Sequence, residues 1–175
     1  MRSLLVVLLF GVFAWGQDKP AEQPSMPSKE EVSELVTKAD EKVSGFDEAV
    51  RNAKPHLDRI NPKLVTNYME AASTAHMIIR GIQKNGASAY SLVSLLATLD
   101  DLALNASTAS VQLLRTDEEQ VTKGKQPDVA RLSSVILLNT AGTACNDIAE
   151  LIMHATLRYV SVEEQVLGTL LEKQK

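Results

Sequence analysis

Apolar residues recur at alternating spacings of three and four along almost the whole chain after residue 28. On an α-helix this spacing places them on one face, whereas a half-buried strand needs alternation at every second residue. No segment alternates with a period of two. The pattern therefore predicts an all-α chain in which each helix buries one apolar stripe.

Three short interruptions divide the pattern into four segments. Asn61 is a suitable N-cap and Pro62 suits the first helical position, so a second helix is expected to start there. Asn85-Gly86 is a good helix terminator, and Lys123–Pro127 interrupts the pattern again. Short links favour antiparallel neighbours, so we predict one domain over residues 28–175, an up-and-down antiparallel four-helix bundle with long helices.

The four stripes contain mainly aliphatic and small side chains, and they are the predicted core. They are Val32, Val36, Ala39, Val43, Phe46, Val50, Ala53, Leu57 and Ile60; Val65, Tyr68, Ala72, Ala75, Ile79 and Ile82; Leu92, Leu95, Leu99, Leu102, Ala106, Ala109 and Leu113; and Val135, Leu138, Gly142, Cys145, Ala149, Ile152, Thr156 and Tyr159. Val162, Val166 and Leu170 continue the fourth stripe after a shift of register.

Local signals mark further helix boundaries. Ser28 with Glu31 forms a predicted capping box at the start of the first helix. Pro55 lies inside the first stripe and removes a helical hydrogen bond, which predicts a kink or a break there. Ser161 with Glu164 is a second capping-box pattern, so the last helix either breaks near Ser161 or continues through it.

Residues 1–16 have the three parts of a secretory signal peptide. A positively charged start precedes the apolar core Leu4–Phe13, and the small residues Ala14 and Gly16 precede a cut ahead of Gln17. A membrane span needs about 20 apolar residues, so this run is short for an anchor. We expect a cleaved signal and a secreted or periplasmic protein without a stable membrane span, and a retained anchor is the alternative.

Residues 17–27 hold three prolines among polar residues and predict a flexible spacer, since they offer little apolar surface to bury. The remainder suits a single domain with its own core. The chain has 18 Lys and Arg, and losing Arg2 leaves 17 against 22 Asp and Glu. Because no basic patch with interleaved aromatic residues is present, we expect no nucleic-acid partner.

Sequence motifs of common enzymes are missing from the chain. It has no Gly-x-Ser-x-Gly, no phosphate-binding loop and no dinucleotide-binding fingerprint. Asp100 and Asp101 are adjacent, and adjacent side chains on a helix diverge by about 100°, so the two carboxylates do not form an acid/base pair. We therefore expect no enzymatic activity.

A haem or metal carrier is the alternative function. The covalent haem motif is absent, so haem would need an axial pair from His76, His154, Met77 and Met153, which requires the second and fourth helices to be neighbours. Methionine as a core-filling side chain is the favoured interpretation. We expect no cofactor.

A weak surface metal site is the other ligand hypothesis. Asp147, Glu150 and His154 share one face of the fourth helix, which points away from its apolar stripe. A closed set of four ligands is not visible, and Glu-x-x-His does not occur. A solvated charge ladder of Glu150, His154 and Arg158 is the favoured interpretation, and we expect no metal.

One side of the third helix is small, polar and hardly charged. Its members are Ser91, Ser94, Ala97, Thr98, Asn105, Thr108 and Gln112. Such a side permits close approach of a helix, either from within the bundle or from a partner. We therefore predict an exported non-enzymatic bundle that acts through contact with another protein or with itself, and these residues are the candidate interaction face.

Cys145 is the only cysteine of the chain. It lies in the fourth stripe, and Ala141, Cys145 and Ala149 form a row of small side chains at a spacing of four. A buried free cysteine behaves as a small apolar side chain, so we predict a protected thiol. The alternative is a disulfide between two chains, which an oxidising compartment would allow.

Overall fold

A computed structural model describes residues 25–172 of the protein. Within this range the chain forms four helices and no strand: α1 Lys29–Ile60, α2 Pro62–Asn85, α3 Ala89–Thr122 and α4 Val129–Glu172. The predicted all-helical class and the four segments are confirmed. The predicted signal peptide, residues 1–16, and residues 17–24 of the predicted spacer lie outside the described residues.

The first two helices start at the predicted caps. Ser28 Oγ accepts a hydrogen bond from the Glu31 amide at 3.0 Å, and Asn61 Oδ1 accepts one from the Lys63 amide at 3.0 Å. The Glu31 carboxylate does not complete the capping box, because it accepts a 2.6 Å hydrogen bond from Arg158 of α4. A charged partner binds a carboxylate more strongly than a backbone amide does.

Both ends of the α2–α3 link also follow from local chemistry. Gly86 ends α2 with a positive φ of 85°, a conformation that glycine adopts without a steric penalty. Ser88 and Ser91 then form a reciprocal capping box, in which each hydroxyl accepts from the other's amide, at 3.1 and 2.9 Å.

Helix α1 continues through Pro55, so of the predicted kink or break, the break is not found. Ala53 and Leu57, which flank the proline, are both fully buried. Packing on both sides of the lost hydrogen bond offsets the local preference of proline to end a helix.

Helix α4 continues through Ser161 and reaches Glu172, so of the two predicted alternatives the unbroken helix is found. At 1.5 Å per residue α4 is about 66 Å long and α2 about 36 Å. Burial on α4 fades beyond Thr156, and Val166 and Leu167 are exposed. The last turns of α4 therefore overhang the core.

The packing contacts fit a four-helix bundle. Helix α1 packs against α2 and α4, and α3 packs against the same two helices. Helices α1 and α3 also touch across the centre, and the described parts of α2 and α4 make no contact with each other. Because α1 and α3 fill the middle, α2 and α4 lie at opposite corners.

Side-chain pairs give the directions of the helices around α4. Near the start of α4, Asp117 of α3 contacts Arg131, and near its end Arg158 contacts Glu31 at the start of α1. Both α1 and α3 therefore run antiparallel to α4. None of the described helices is long and apolar enough to cross a membrane.

The first three predicted stripes are confirmed as the core, and every member except Ile60 is buried. In α4 the predicted stripe is buried as far as Thr156, and Tyr159 is half-buried. Ala141, Ile148 and Ala155 are buried as well, so α4 presents a wider apolar face than one stripe.

Helices α3 and α4 approach each other closely at Gly142. A Cβ atom placed on Gly142 would lie 2.8 Å from the Ala106 Cβ and 3.3 Å from the Ala103 carbonyl oxygen. Ser110 Oγ reaches the Val135 carbonyl oxygen at 3.4 Å on the same interface. The α3–α4 interface therefore depends on small side chains.

Candidate functional site

The structure does not bring the four haem candidates together. His76 Nδ1 lies 2.7 Å from Asp40 Oδ1, so this ring is engaged between α1 and α2. His154 and Met153 are exposed on α4, and Met77 is exposed on α2. Because the described parts of α2 and α4 make no contact, His76 and His154 do not form an axial pair.

The three residues of the proposed surface metal site, Asp147, Glu150 and His154, are all exposed on α4. No group of three or more His, Cys, Asp or Glu side chains in the described range is arranged to hold a metal ion. The predicted charge ladder is wrong at Arg158. Its guanidinium binds Glu31 and donates to the Ser25 carbonyl at 3.0 Å, because α1 starts beside this part of α4.

The candidate interaction face on α3 is largely covered. Its members Ser91, Ser94, Thr98, Asn105 and Gln112 are half-buried, and Ala97 and Thr108 are exposed. The hydroxyls of Ser94 and Thr98 donate to carbonyl oxygens one turn earlier in α3. These residues therefore border the core, and the bundle itself covers most of the face that the sequence suggested for a partner.

Exposed apolar side chains of α3 lie about 90° from the centre of this face around the helix. Val93, Leu104 and Val111 are spaced by 11 and 7 residues, so they fall within about 20° of one another around the helix. Ala103, which contacts the α4 backbone at Gly142, lies about 80° to 100° from them, so these three side chains lie on the outer side of α3 beside the α4 interface.

Helix α4 extends this apolar flank. Gly142 of α4 contacts Ala103 and Ala106 of α3, and the two helices run in opposite directions. A residue of α3 and a residue of α4 therefore lie at the same height along the bundle when their numbers add up to about 246. Val93 is therefore level with Met153, and Leu157 follows one turn later. We define the outer α3–α4 surface by side chains that are 39% to 66% exposed: Val93, Leu104, Val111, Met153 and Leu157.

The charged side chains along the middle of this surface are acidic. No Lys or Arg occurs between Lys84 and Arg115, or between Arg131 and Arg158. The charged side chains in these two stretches are Asp100, Asp101, Asp147 and Glu150. Burial raises the pKa of Asp100, and the neighbouring Asp101 raises it further. The surface therefore combines exposed apolar side chains with carboxylates, and its cations lie at the two ends, at Arg115 and Arg158.

A polar cleft at one end of the bundle is the feature that the sequence analysis missed. Its volume is about 450 Å³, and α1, the end of α3, the α3–α4 link and the start of α4 surround it. We call it the end cleft, and its lining residues are His56, Arg59, Ile60, Thr116, Asp117, Gln120, Lys125, Gln126, Asp128 and Arg131.

An ion pair is buried at the base of the end cleft. Asp117 Oδ1 accepts hydrogen bonds from the Asp128 amide at 3.0 Å and from an Arg131 guanidinium nitrogen at 3.2 Å. Asp117 and Arg131 are only 6% and 9% exposed. Arg131 also lies 3.4 Å from Asp128 Oδ2. Buried charges persist only when they are paired and hydrogen-bonded, as both are here.

A sequence signal for this pair existed. Asp117 follows Leu113 by four residues and continues the third stripe, while Arg131 precedes Val135 by four and begins the fourth. Opposite charges at core positions on either side of a short link indicate a buried pair, because an isolated charge in a core position is strongly disfavoured.

Cys145 is buried, as predicted. Its Sγ lies 3.9 Å from the Lys42 carbonyl oxygen of α1. Burial raises the pKa of the Cys145 thiol to about 11, although the Lys42 charge opposes the shift. The thiolate, which is the reactive form, is therefore disfavoured in the folded protein. That the thiol also stays unmodified remains a prediction.

No protein-family model matches this chain, and neither a curated protein nor a solved structure shows significant similarity to it.

Proposed function

We propose that this is an exported, non-enzymatic protein, an up-and-down antiparallel four-helix bundle that binds another protein through the outer α3–α4 surface. The observation that carries the proposal is the line of exposed apolar side chains Val93, Leu104 and Val111, with Met153 and Leu157 at its Val93 end. The charged residues between Lys84 and Arg115 and between Arg131 and Arg158 are all acidic.

Solvated helix surfaces usually carry Lys and Glu, and α1 is an example. Its outer side holds the pairs Glu34–Lys38, Asp47–Arg51 and Lys54–Asp58, each four residues apart. Exposed apolar side chains grouped on one side of a soluble protein often mark a surface that a partner covers. The two sides of this bundle therefore differ in the way that a free surface differs from a binding surface.

The carboxylates near this surface indicate which kind of partner it would bind. Asp100 and Glu150 favour a partner that places Lys or Arg next to apolar side chains, since complementary charge steers encounter and fixes orientation. A second copy docked through the same surface would bring carboxylates together. An anionic membrane surface would repel them for the same reason. Contact with a different protein is therefore favoured over self-association.

Export rests on the amino-terminal pattern over residues 1–16. Mass analysis of the protein from its native host should find Gln17 as the first residue. A chain that retains Leu4–Phe13 would contradict cleavage and would support the anchor alternative.

The binding surface can be tested by site-specific photo-crosslinking in the exporting cell. A crosslinking amino acid at Leu104 should give an adduct with another protein, and the same group at Glu48 of α1 should not. Asp100→Lys should reduce the yield at Leu104, because it replaces an attractive charge by a repulsive one. Equal yields at both positions, or an adduct with the mass of two copies of this chain, would contradict the proposal.

The alternative of a haem or metal carrier has no supporting cluster of ligands among residues 25–172. A Soret absorbance band, or a stoichiometric metal in elemental analysis of protein from native export, would revive it.

A further inference from the structure

The end cleft is separate from the outer α3–α4 surface, and its properties do not depend on the proposed protein contact. We infer that the end cleft binds a small oxyanion, a carboxylate or phosphate group, between Arg59, Lys125 and His56. The volume of about 450 Å³ is within the range of small-ligand pockets in proteins.

The charges of the cleft do not cancel. Asp117 and Asp128 are its two carboxylates, and both contact Arg131. Arg59 and Lys125 also line the cleft, and neither has a carboxylate within 4.0 Å among the described side chains. Three cations against two carboxylates leave a net charge of +1 with His56 neutral.

His56 gives the second observation. Its side chain is 12% exposed, and its buried Nδ1 has no hydrogen-bond partner among the described residues. The nearest carboxylate oxygen, Asp128 Oδ2, is 3.9 Å away, which is too long for a hydrogen bond. Buried polar atoms in native proteins almost always have a partner. An oxygen that enters beside His56 would supply the missing partner, in the tautomer with hydrogen on Nδ1.

The position of the ligand follows from which polar groups of the cleft already have partners within the protein. Asp128 Oδ1 accepts from the Arg131 amide at 3.2 Å, so a carboxylate of the protein already caps the start of α4. Asp117 and the guanidinium of Arg131 satisfy each other at the base of the cleft. What remains for a ligand is the rim, where Arg59 and Lys125 are exposed and His56 faces the same cavity. Arg59 and Lys125 offer only donors to an oxyanion, as charge-assisted binding requires.

Titration of the purified protein with inorganic phosphate and, separately, with citrate tests the inference. Calorimetry at low salt should show saturable binding, and amide resonances of Arg59, Lys125 and His56 should shift with the same titration curve. Saturation by phosphate alone assigns a phosphate ligand, and saturation by citrate assigns a carboxylate. Saturation by neither anion means that only water occupies the cleft, and it overturns the inference.

The variant Arg59→Gln/Lys125→Gln should weaken binding by about tenfold or more, since both ion-paired contacts are lost. Both side chains are exposed, so the helix content and the melt should remain unchanged. The matched control is Lys38→Gln/Lys63→Gln, two exposed lysines outside the cleft, which should leave the affinity unaltered. Equal affinities of the cleft variant and the control would show that the anion binds surface charge in general, and this also overturns the inference.

Discussion

The α1–α2 side of the bundle and the α3–α4 side differ first at their surfaces. Helix α1 carries ion pairs four residues apart along its outer side, as at Asp47–Arg51 and Lys54–Asp58. Helix α3 has no basic residue before Arg115, and α4 has none between Arg131 and Arg158. One surface carries ion pairs, and the other carries exposed apolar side chains with carboxylates, which is the basis of the proposed partner contact.

The interiors of the two sides differ as well. Between α1 and α2, Phe46 and Tyr68 meet edge to face with ring centroids 6.5 Å apart. Between α3 and α4, Gly142 fits against Ala103 and Ala106 with no room for a further carbon. Large rings tolerate small shifts of two helices, but a glycine contact fixes their spacing. The side with the apolar outer surface is therefore also the side where a glycine lets two helices approach closely.

Loss of the buried Asp117 carboxylate should have the largest effect on stability. Asp117→Ala removes the buried carboxylate that pairs with Arg131 and accepts from the Asp128 amide, and it leaves Arg131 only the more exposed Asp128 carboxylate. Breaking a buried pair by removing one partner lowers the free energy of unfolding by about 3 to 5 kcal/mol. Urea denaturation measures it. The matched control on the other side is Asp47→Ala, which removes a more exposed pair and should lower stability by about 1 kcal/mol or less. Similar losses for both variants would show that the buried pair has no special role.

A methyl group at Gly142 should be the next largest perturbation. Gly142→Ala is expected to lower the free energy of unfolding by about 2 kcal/mol, since the new Cβ overlaps Ala106. In Gly45→Ala, within α1, a Cβ meets nothing within 4 Å, so stability should rise by about 0.5 to 1 kcal/mol through helix propensity. The melting temperatures of the two variants, measured in thermal melts, give the comparison. If both variants gain stability, α3 and α4 have freedom to separate.

The Cys145 thiol should make stability depend on alkaline pH. Its pKa is about 11 in the folded protein against 9.0 for an ordinary thiol, so the unfolded chain loses this proton first. The contribution is fully present below pH 9 and is lost as the pH rises toward 11. At pH 10 the loss is about 1.4 kcal/mol relative to pH 8.

Cys145→Ala is the control for this prediction, because it lacks the thiol and keeps every other titrating group. The difference in unfolding free energy between the wild type and this variant should shrink between pH 8 and pH 10. A maleimide should label the folded wild type slowly and the denatured chain rapidly. A pH-independent difference, or a reducible dimer on a gel, would contradict the protected thiol.

Removal of a surface ion pair on α1 should have the smallest effect. Lys54→Ala breaks the 2.6 Å contact with Asp58, in which the Lys54 side chain is 55% exposed and the Asp58 side chain 36%. The free energy of unfolding should change by about 0.5 kcal/mol or less, because water screens such pairs. A much larger loss of stability in urea denaturation would mean that water does not screen this ion pair.

The sequence by itself determined the helices and the faces that they bury. Asn61, Gly86 and Ser88 mark helix ends through hydrogen bonds and dihedral preferences that involve only nearby residues. The apolar stripes of α1, α2 and α3 are buried where their spacing placed them. Even the buried state of Cys145 follows from its position in a stripe.

Only the tertiary structure decided what lies at the flanks and the ends of the helices. The spacing shows which face is buried but not which flank a neighbouring helix covers, so Ser91 to Gln112 is half-covered and Val93 to Val111 is open. The order of the helices around the core keeps His76 and His154 apart and brings Arg158 to Glu31. Each of these pairings joins residues far apart in the chain, and no periodicity along one helix encodes which side of it another helix will occupy.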